Sequence, residues 1–138
     1  MAEADIPSRA DALAWATDLY ANGVDRKDAN MFAGVFTDDG WCRFANNPPL
    51  EGREAIRTAI AQFFTVMAGV SHESLGTFYD AGDLVLEANV TYTLHAGGTV
   101  TVPAVTIFRM TAAAGKLQAE NCRIFVDLAP LFTAAAQP

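Results

Sequence analysis

Two cysteines in 138 residues, Cys42 and Cys122, with no CxxC and no Cys/His cluster, point to neither a disulfide framework nor a zinc site. Basic residues are scarce too, nine Lys and Arg against sixteen Asp and Glu for a net charge of −7, and Lys27 and Lys116 are the only lysines. With no basic stripe to neutralise phosphates, nucleic acid is not an expected partner. No apolar run reaches the roughly 18 residues that span a bilayer, and Met1-Ala-Glu-Ala-Asp-Ile-Pro7 is acidic with no apolar stretch behind it. No membrane partner is expected, and the chain reads as cytoplasmic. Hydrophobic residues, by contrast, make up 51% of the chain, including nine Phe, two Trp and three Tyr. A chain of this size buries about two thirds of its unfolded surface, enough for one cored domain over 1–138, with 1–7 and 133–138 as flexible ends.

Ser8 followed by Asp11 resembles a capping box, and Ala12, Trp15, Ala16 and Leu19 recur at helical spacing until Gly23. Asp25 is placed to cap a second helix burying Met31, Phe32, Val35 and Phe36, which ends at the turn-rich Thr37-Asp-Asp-Gly40. A short strand over 41–46 is broken by Asn47-Pro-Pro49. Gly52 opens a third helix with Ile56, Ile60, Phe63, Phe64 and Met67 on one face, closed by Gly69. Then the period changes: β-branched and aromatic residues predict strands over 72–79, 84–95, 99–110 and 117–127, joined by short glycine-bearing turns as an antiparallel meander. Helices first and a sheet afterwards predict an α+β fold.

This order, with Phe36-Thr-Asp-Asp-Gly-Trp41, Phe44-Ala-Asn-Asn-Pro-Pro49, Gly52-Arg-Glu-Ala-Ile56 and Arg123-Ile-Phe-Val-Asp-Leu-Ala-Pro-Leu131, resembles the SnoaL-like branch of the nuclear transport factor 2-like superfamily. The resemblance implies a cystatin-like cone, a curved antiparallel sheet wrapped around the N-terminal helices, with an internal pocket. It also implies chemistry that uses no cofactor and no metal. The architecture hosts isomerases, dehydratases, polyketide cyclases, epoxide hydrolases and non-catalytic binders, so it leaves the activity open. The positions that limonene-epoxide hydrolases use fall at Phe44, Asn46, Asn89, Thr91 and Asp127, of which Asn46 and Asp127 keep the residue type. Those of ketosteroid isomerase fall at Tyr20, which is kept, and at Phe44 and Thr106, which replace its base and its protonated acid. His72-Glu-Ser-Leu-Gly76 is similar to the histidine stretch of scytalone dehydratase, although Ala21 stands where that enzyme carries an Asp.

Alternation along the strands separates Glu87, Asn89, Thr91 and Thr93 from Ala88, Val90, Tyr92 and Leu94, and Asn121, Arg123, Phe125 and Asp127 from Cys122, Ile124 and Val126. The resemblance puts the polar faces inside the cone. The apolar residues, with Ile107, would then form an outer face covered by a second copy of the chain, a homodimer. Asp127 and His72 are the candidate catalytic acid and base, since a desolvated carboxylate and an imidazole suit proton transfer near neutral pH. A turn cap for Asp127 and a backbone hydrogen bond for His72 are the structural alternatives. Arg123 could orient an anionic oxygen or serve a cross-strand partner, and Asn46 could hold a carbonyl or form the turn before the prolines. Tyr20, beside Trp15 on the first helix, fits a phenol donor or core. Phe44, with Phe63 and Met67, fits pocket wall or core, and Asn89, Thr91 and Thr106 complete the expected ligand contacts. His95, at a hairpin tip, reads as solvated. The two cysteines read as small buried residues with no reason to pair. The function expected is binding of a small, mostly apolar molecule bearing a carbonyl or hydroxyl, with acid–base catalysis or without it. The alternative is a dimeric interaction module.

Overall fold

The computed structural model describes residues 5–137; the expected flexible ends therefore lie partly outside the described residues. Within them, Asp5 pairs with Ala112 through two backbone hydrogen bonds of 2.7 Å, and Ala129–Ala135 forms a helix, α4.

Ser8 is extended and its hydroxyl accepts the Asp11 N–H at 3.1 Å, which starts α1 at Arg9–Asn22, with Ala12, Ala16 and Leu19 buried. Gly23 then turns the chain so tightly that a Cβ there would lie 2.5 Å from the Leu19 carbonyl oxygen. A 3-10 turn, Val24–Arg26, follows, and Lys27 adopts the left-handed conformation at φ 57°. Helix α2, Ala29–Gly34, is capped by Asp28, whose carboxylate accepts the Met31 N–H at 3.0 Å. This corrects the expectation that Asp25 is the cap.

Strand β1, Phe36–Phe44, begins at the last residue expected in the second helix and runs through the stretch expected to be a turn, and its register shifts between Phe36 and Trp41 as the polar segment passes. A two-residue strand β2, Leu50–Glu51, leads into α3, Arg53–Phe64, which buries Ile56, Ile60 and Phe64. The helix ends earlier than expected because the Thr65 hydroxyl and N–H both donate to the Gln62 carbonyl, so Gly69 opens the next strand instead of closing the helix. Strands β3 (Gly69–Asp80), β4 (Asp83–Thr93), β5 (Thr99–Ala113) and β6 (Lys116–Val126) form the predicted meander. The sheet has six strands in the order β2-β1-β6-β5-β4-β3, and β1 runs parallel to β6 while every other pair is antiparallel.

The helices cover one face of this open, mixed sheet. Leu19, Phe32, Phe36, Ile56, Met67, Phe108 and Leu131 belong to the core cluster, and the Trp15 ring stands edge-on to Phe108 at 5.1 Å. Alternation holds along the long strands except at irregularities in β3, between Ser74 and Gly76, and between β5 and β6 at Arg109 and Met110, but the two faces are the reverse of those expected. Val90, Tyr92, Cys122, Ile124 and Val126 point toward the helices, while Asn89, Thr91, Arg123 and Phe125 lie on the opposite face. Register enforces this: Thr106 is buried and sits opposite Leu86 and Ile124, so its neighbours on those strands share its face. Of the proposed outer apolar face only Ile107 lies outside. Cys42 and Cys122 are buried with free thiols, as expected, and are direct neighbours in register across β1 and β6. Burial, and the neighbouring Cys42 thiol, push the Cys122 thiol well above its ordinary range.

Candidate active site

Because Gly23 reverses the chain at the end of α1, Tyr20 and Asp25 reach the same part of the sheet from two sides of one turn. The Lys27 ammonium donates to the Met67 carbonyl at 2.8 Å and fastens that turn to the segment entering β3. On β3, His72 meets Asp25 twice: its Nδ1 lies 2.6 Å from Asp25 Oδ1, and its backbone N–H donates to Asp25 Oδ2 at 3.4 Å. With Nδ1–H donating to the carboxylate, Nε2 is the ring nitrogen left for a ligand. The pair is neither dry nor open, with 19% of the His72 side chain and 24% of the Asp25 side chain exposed. The Tyr20 ring packs edge-on against the imidazole at 4.7 Å. Burial holds the Tyr20 phenol far above its ordinary range, and the nearby Cys122, Cys42 and Asp25 act in the same direction while the Thr106 hydroxyl opposes them. At any physiological pH it is a neutral hydrogen-bond donor.

Two cavities meet at this cluster. An inner one of about 50 Å³ lies between α3 and the sheet, walled by Phe44, Ile60, Phe63, Val90 and Tyr92 among others. Phe63 is its pivot, with Phe44 at 4.8 Å and Tyr92 at 6.0 Å between ring centroids. Burial raises the Tyr92 phenol to about 12. The second, a groove of about 260 Å³, runs between α1 and the β3–β5 part of the sheet and adds Thr17, Ser74 and Thr77. Tyr20, His72, Ala104 and Thr106 line both.

Residues 16–119 match the model of the SnoaL-like domain. The chain belongs to the SnoaL-like domain family. Its fold is shared with a structure assigned as a SnoaL-like polyketide cyclase from Jannaschia sp. CCS1, at 22% identity and a TM-score of 0.78 over 99% of this chain and 100% of that one. It is shared also with one assigned as a scytalone dehydratase from Novosphingobium aromaticivorans (14% identity, TM-score 0.71, 86% and 83% of the two chains). A third is an LEH-like epoxide hydrolase from M. tuberculosis (13% identity, TM-score 0.63, 87% and 86%). No curated protein sequence matches.

In this SnoaL-like domain the residues expected from sequence divide into two groups. His72, Tyr20, Thr106 and Phe44 line the cavities. Asp127, the leading candidate acid, lines neither: it is exposed, and its carboxylate accepts the Ala129 N–H at 3.0 Å, the turn-cap alternative. Asn46 is exposed in the turn after β1. Asn89 and Thr91 lie on the outer face, donating to Glu73 at 3.3 Å and sharing a 2.8 Å hydrogen bond with Thr101. Arg123 is on that face too, so it reaches no ligand in the cavities, and its Nε is buried without a hydrogen-bond partner among the described residues. His95 is not merely solvated, since its Nε2 lies 2.9 Å from the Thr65 carbonyl and ties the β4–β5 hairpin to the end of α3. The residue that sequence reasoning missed is Asp25. Ala21 lacks the acid that the dehydratase comparison called for, and Asp25 brings a carboxylate to His72 from four residues further on, beyond the Gly23 turn. A His72 that needs an orienting acid and a glycine-turned helix end carrying Asp25 were the signals available.

Among the described residues, no cluster of three or more His, Cys, Asp or Glu could hold a metal ion, and no helix is long and apolar enough to cross a membrane.

Proposed function

We propose that this SnoaL-like domain binds a small, mostly apolar molecule bearing a carbonyl or hydroxyl and moves a proton on it. The chemistry is of the isomerase, dehydratase, cyclase or epoxide-hydrolase kind. His72 is the acid–base group, oriented by Asp25, and proton transfer of this type requires no cofactor. The observation that carries the reading is the two-point grip of Asp25 on His72, at 2.6 Å and 3.4 Å, at the junction of two cavities. Asp25 fixes the tautomer and stabilises the imidazolium that forms when Nε2 takes a proton from the carbon beside the carbonyl. The Tyr20 phenol and Thr106 hydroxyl donate to the oxygen that gains charge, and the proton then returns from Nε2 to a carbon or oxygen of the same molecule. The test is solvent deuterium exchange at the carbon next to the carbonyl of phenyl alkyl ketones, followed by NMR. Exchange above background that disappears in His72→Gln supports the reading. Binding without any exchange overturns it in favour of a non-catalytic binder.

The homodimer is proposed on the other sheet face. There Phe78, Val85, Val105, Ile107 and Phe125 form a patch across β3–β6, with Phe78 59% and Phe125 49% exposed. Arg43 and Arg123 flank it at the β1–β6 side, and Glu73 and Glu87 at the β3–β4 side. A two-fold axis through the patch sets the acidic side of one copy against the basic side of the other. Sedimentation of a dimer that Phe78→Glu converts to monomer supports this, and a monomeric wild type refutes it.

A further inference from the structure

The two cavities differ in size and in lining, and the difference constrains what they hold. At roughly 10–15 Å³ for each water-sized occupant, the inner cavity of about 50 Å³ takes roughly three to five non-hydrogen atoms. The groove, at about 260 Å³, takes the body of a small molecule. Apart from the residues the two share, the inner wall is hydrocarbon and aromatic, closed by Tyr92. The groove offers the hydroxyls of Thr17, Ser74 and Thr77 and the carboxylate of Asp25. Among the described residues no Lys or Arg lines either one, so an anionic ligand would meet the Asp25 carboxylate with no Lys or Arg to offset it.

We propose that the ligand is uncharged and bipartite. A short apolar group of at most about five atoms enters the inner cavity, a hydrogen-bonding body lies in the groove, and the Tyr20 ring, which walls both, limits the length of the apolar group. The proposal rests on the proton-transfer reading in one respect: the reacting carbon is the one held at the junction beside His72. Tyr20 is thereby a specificity-determining residue.

The experiment measures dissociation constants for the same ketones, with the alkyl chain lengthened from methyl to octyl, by NMR titration. Affinity is expected to rise about fourfold per methylene, the gain from burying a CH₂, and to stop rising at about four or five carbons. In Tyr20→Ala, which enlarges the junction between the cavities, the break moves to longer chains. Ala21→Leu, on the groove side of α1 only, weakens the whole series and leaves the break in place. Val126→Phe, on the inner wall only, moves the break to shorter chains and keeps the test alive should Tyr20→Ala not fold. Replacing the ketone by a carboxylate of the same size is expected to weaken binding at least tenfold. A wild-type series without a break, a break that neither Tyr20→Ala nor Val126→Phe moves, or a carboxylate that binds as well as the ketone overturns the proposal. An intact break without deuterium exchange overturns only the proton-transfer reading; exchange with a flat series overturns only the bipartite ligand.

Discussion

Replacing Asp25 by Asn removes one negative charge and little else, because the amide oxygen can still accept the His72 backbone N–H. What is lost is the charge-assisted hydrogen bond at Nδ1, 2.6 Å long in the native protein. Hydrogen bonds to charged groups contribute about 1.5–3 kcal/mol. A full unit-charge attraction near a protein surface reaches about 4 kcal/mol at 4 Å, but with 19% of one side chain and 24% of the other exposed, solvent takes part of that. A loss near 2 kcal/mol in the stabilisation of the imidazolium follows, a fall of about 30-fold in exchange rate. Binding of the ketones should hardly change, so the loss falls on kcat and not on KM. The structural correlate is read directly by ¹⁵N NMR of the imidazole at neutral pH: the wild type should show the proton on Nδ1, and Asp25→Asn a mixture of tautomers. An exchange rate within twofold of wild type, or a proton found on Nε2 in the native protein, would refute the reasoning.

Three further outcomes follow from separate parts of the structure. Asp127→Asn should leave exchange unchanged and lower stability by about 1 kcal/mol or less, measured by urea denaturation, because its work is to hold the Ala129 N–H. Gly23→Ala should cost stability and exchange together, since its Cβ would sit 2.5 Å from the Leu19 carbonyl and the turn carrying Asp25 has to move; the overpacking scale is about 1–3 kcal/mol. Stability should fall as pH rises from 10 toward 12. Burial raises Tyr92 to about 12, so above pH 10 the unfolded chain loses this proton while the folded one keeps it. The stabilisation is complete below the ordinary tyrosine pKa and disappears as pH passes the folded value, about 3 kcal/mol for a shift of this size. The buried Tyr20 adds in the same direction. Denaturation at pH 8 and pH 11.5 checks it, and Tyr92→Phe should remove the Tyr92 share of the difference and leave that of Tyr20.

The elements were legible in the sequence because their signals are local. Ser8 with Asp11, the apolar spacing of Ile56, Ile60 and Phe64, and alternation in the four long strands each act within one or two turns of chain. The faces of the sheet were not, because alternation fixes which residues share a face and not which face is covered. Matching Asn89, Thr91 and Asp127 to positions of other enzymes set the strands one residue out of step, and with a period of two that exchanges inside for outside. The buried Thr106 was itself among the expected ligand contacts, and its antiparallel neighbours Leu86 and Ile124 carry the correction. His72 and Tyr20 were found through resemblance. Asp25 was not, since 47 residues separate it from His72 and no short-range pattern spans such a gap.

The parallel pairing of β1 with β6 also fixes when the cavity wall can form. β1 ends at Phe44, and its only other partner among the described residues is the two-residue β2, so it stays nearly unpaired until Lys116–Val126 has been synthesised. Phe44 on β1 and Ile124 and Val126 on β6 are inner-cavity walls, whereas Asp25 and His72 come from the 3-10 turn and from β3. A nascent chain can therefore bring its dyad together well before it has an inner cavity. Long-range closures of this kind slow folding and leave strand edges exposed while they wait. The last strand made is the one that turns a histidine held by an aspartate at an open edge into a walled site.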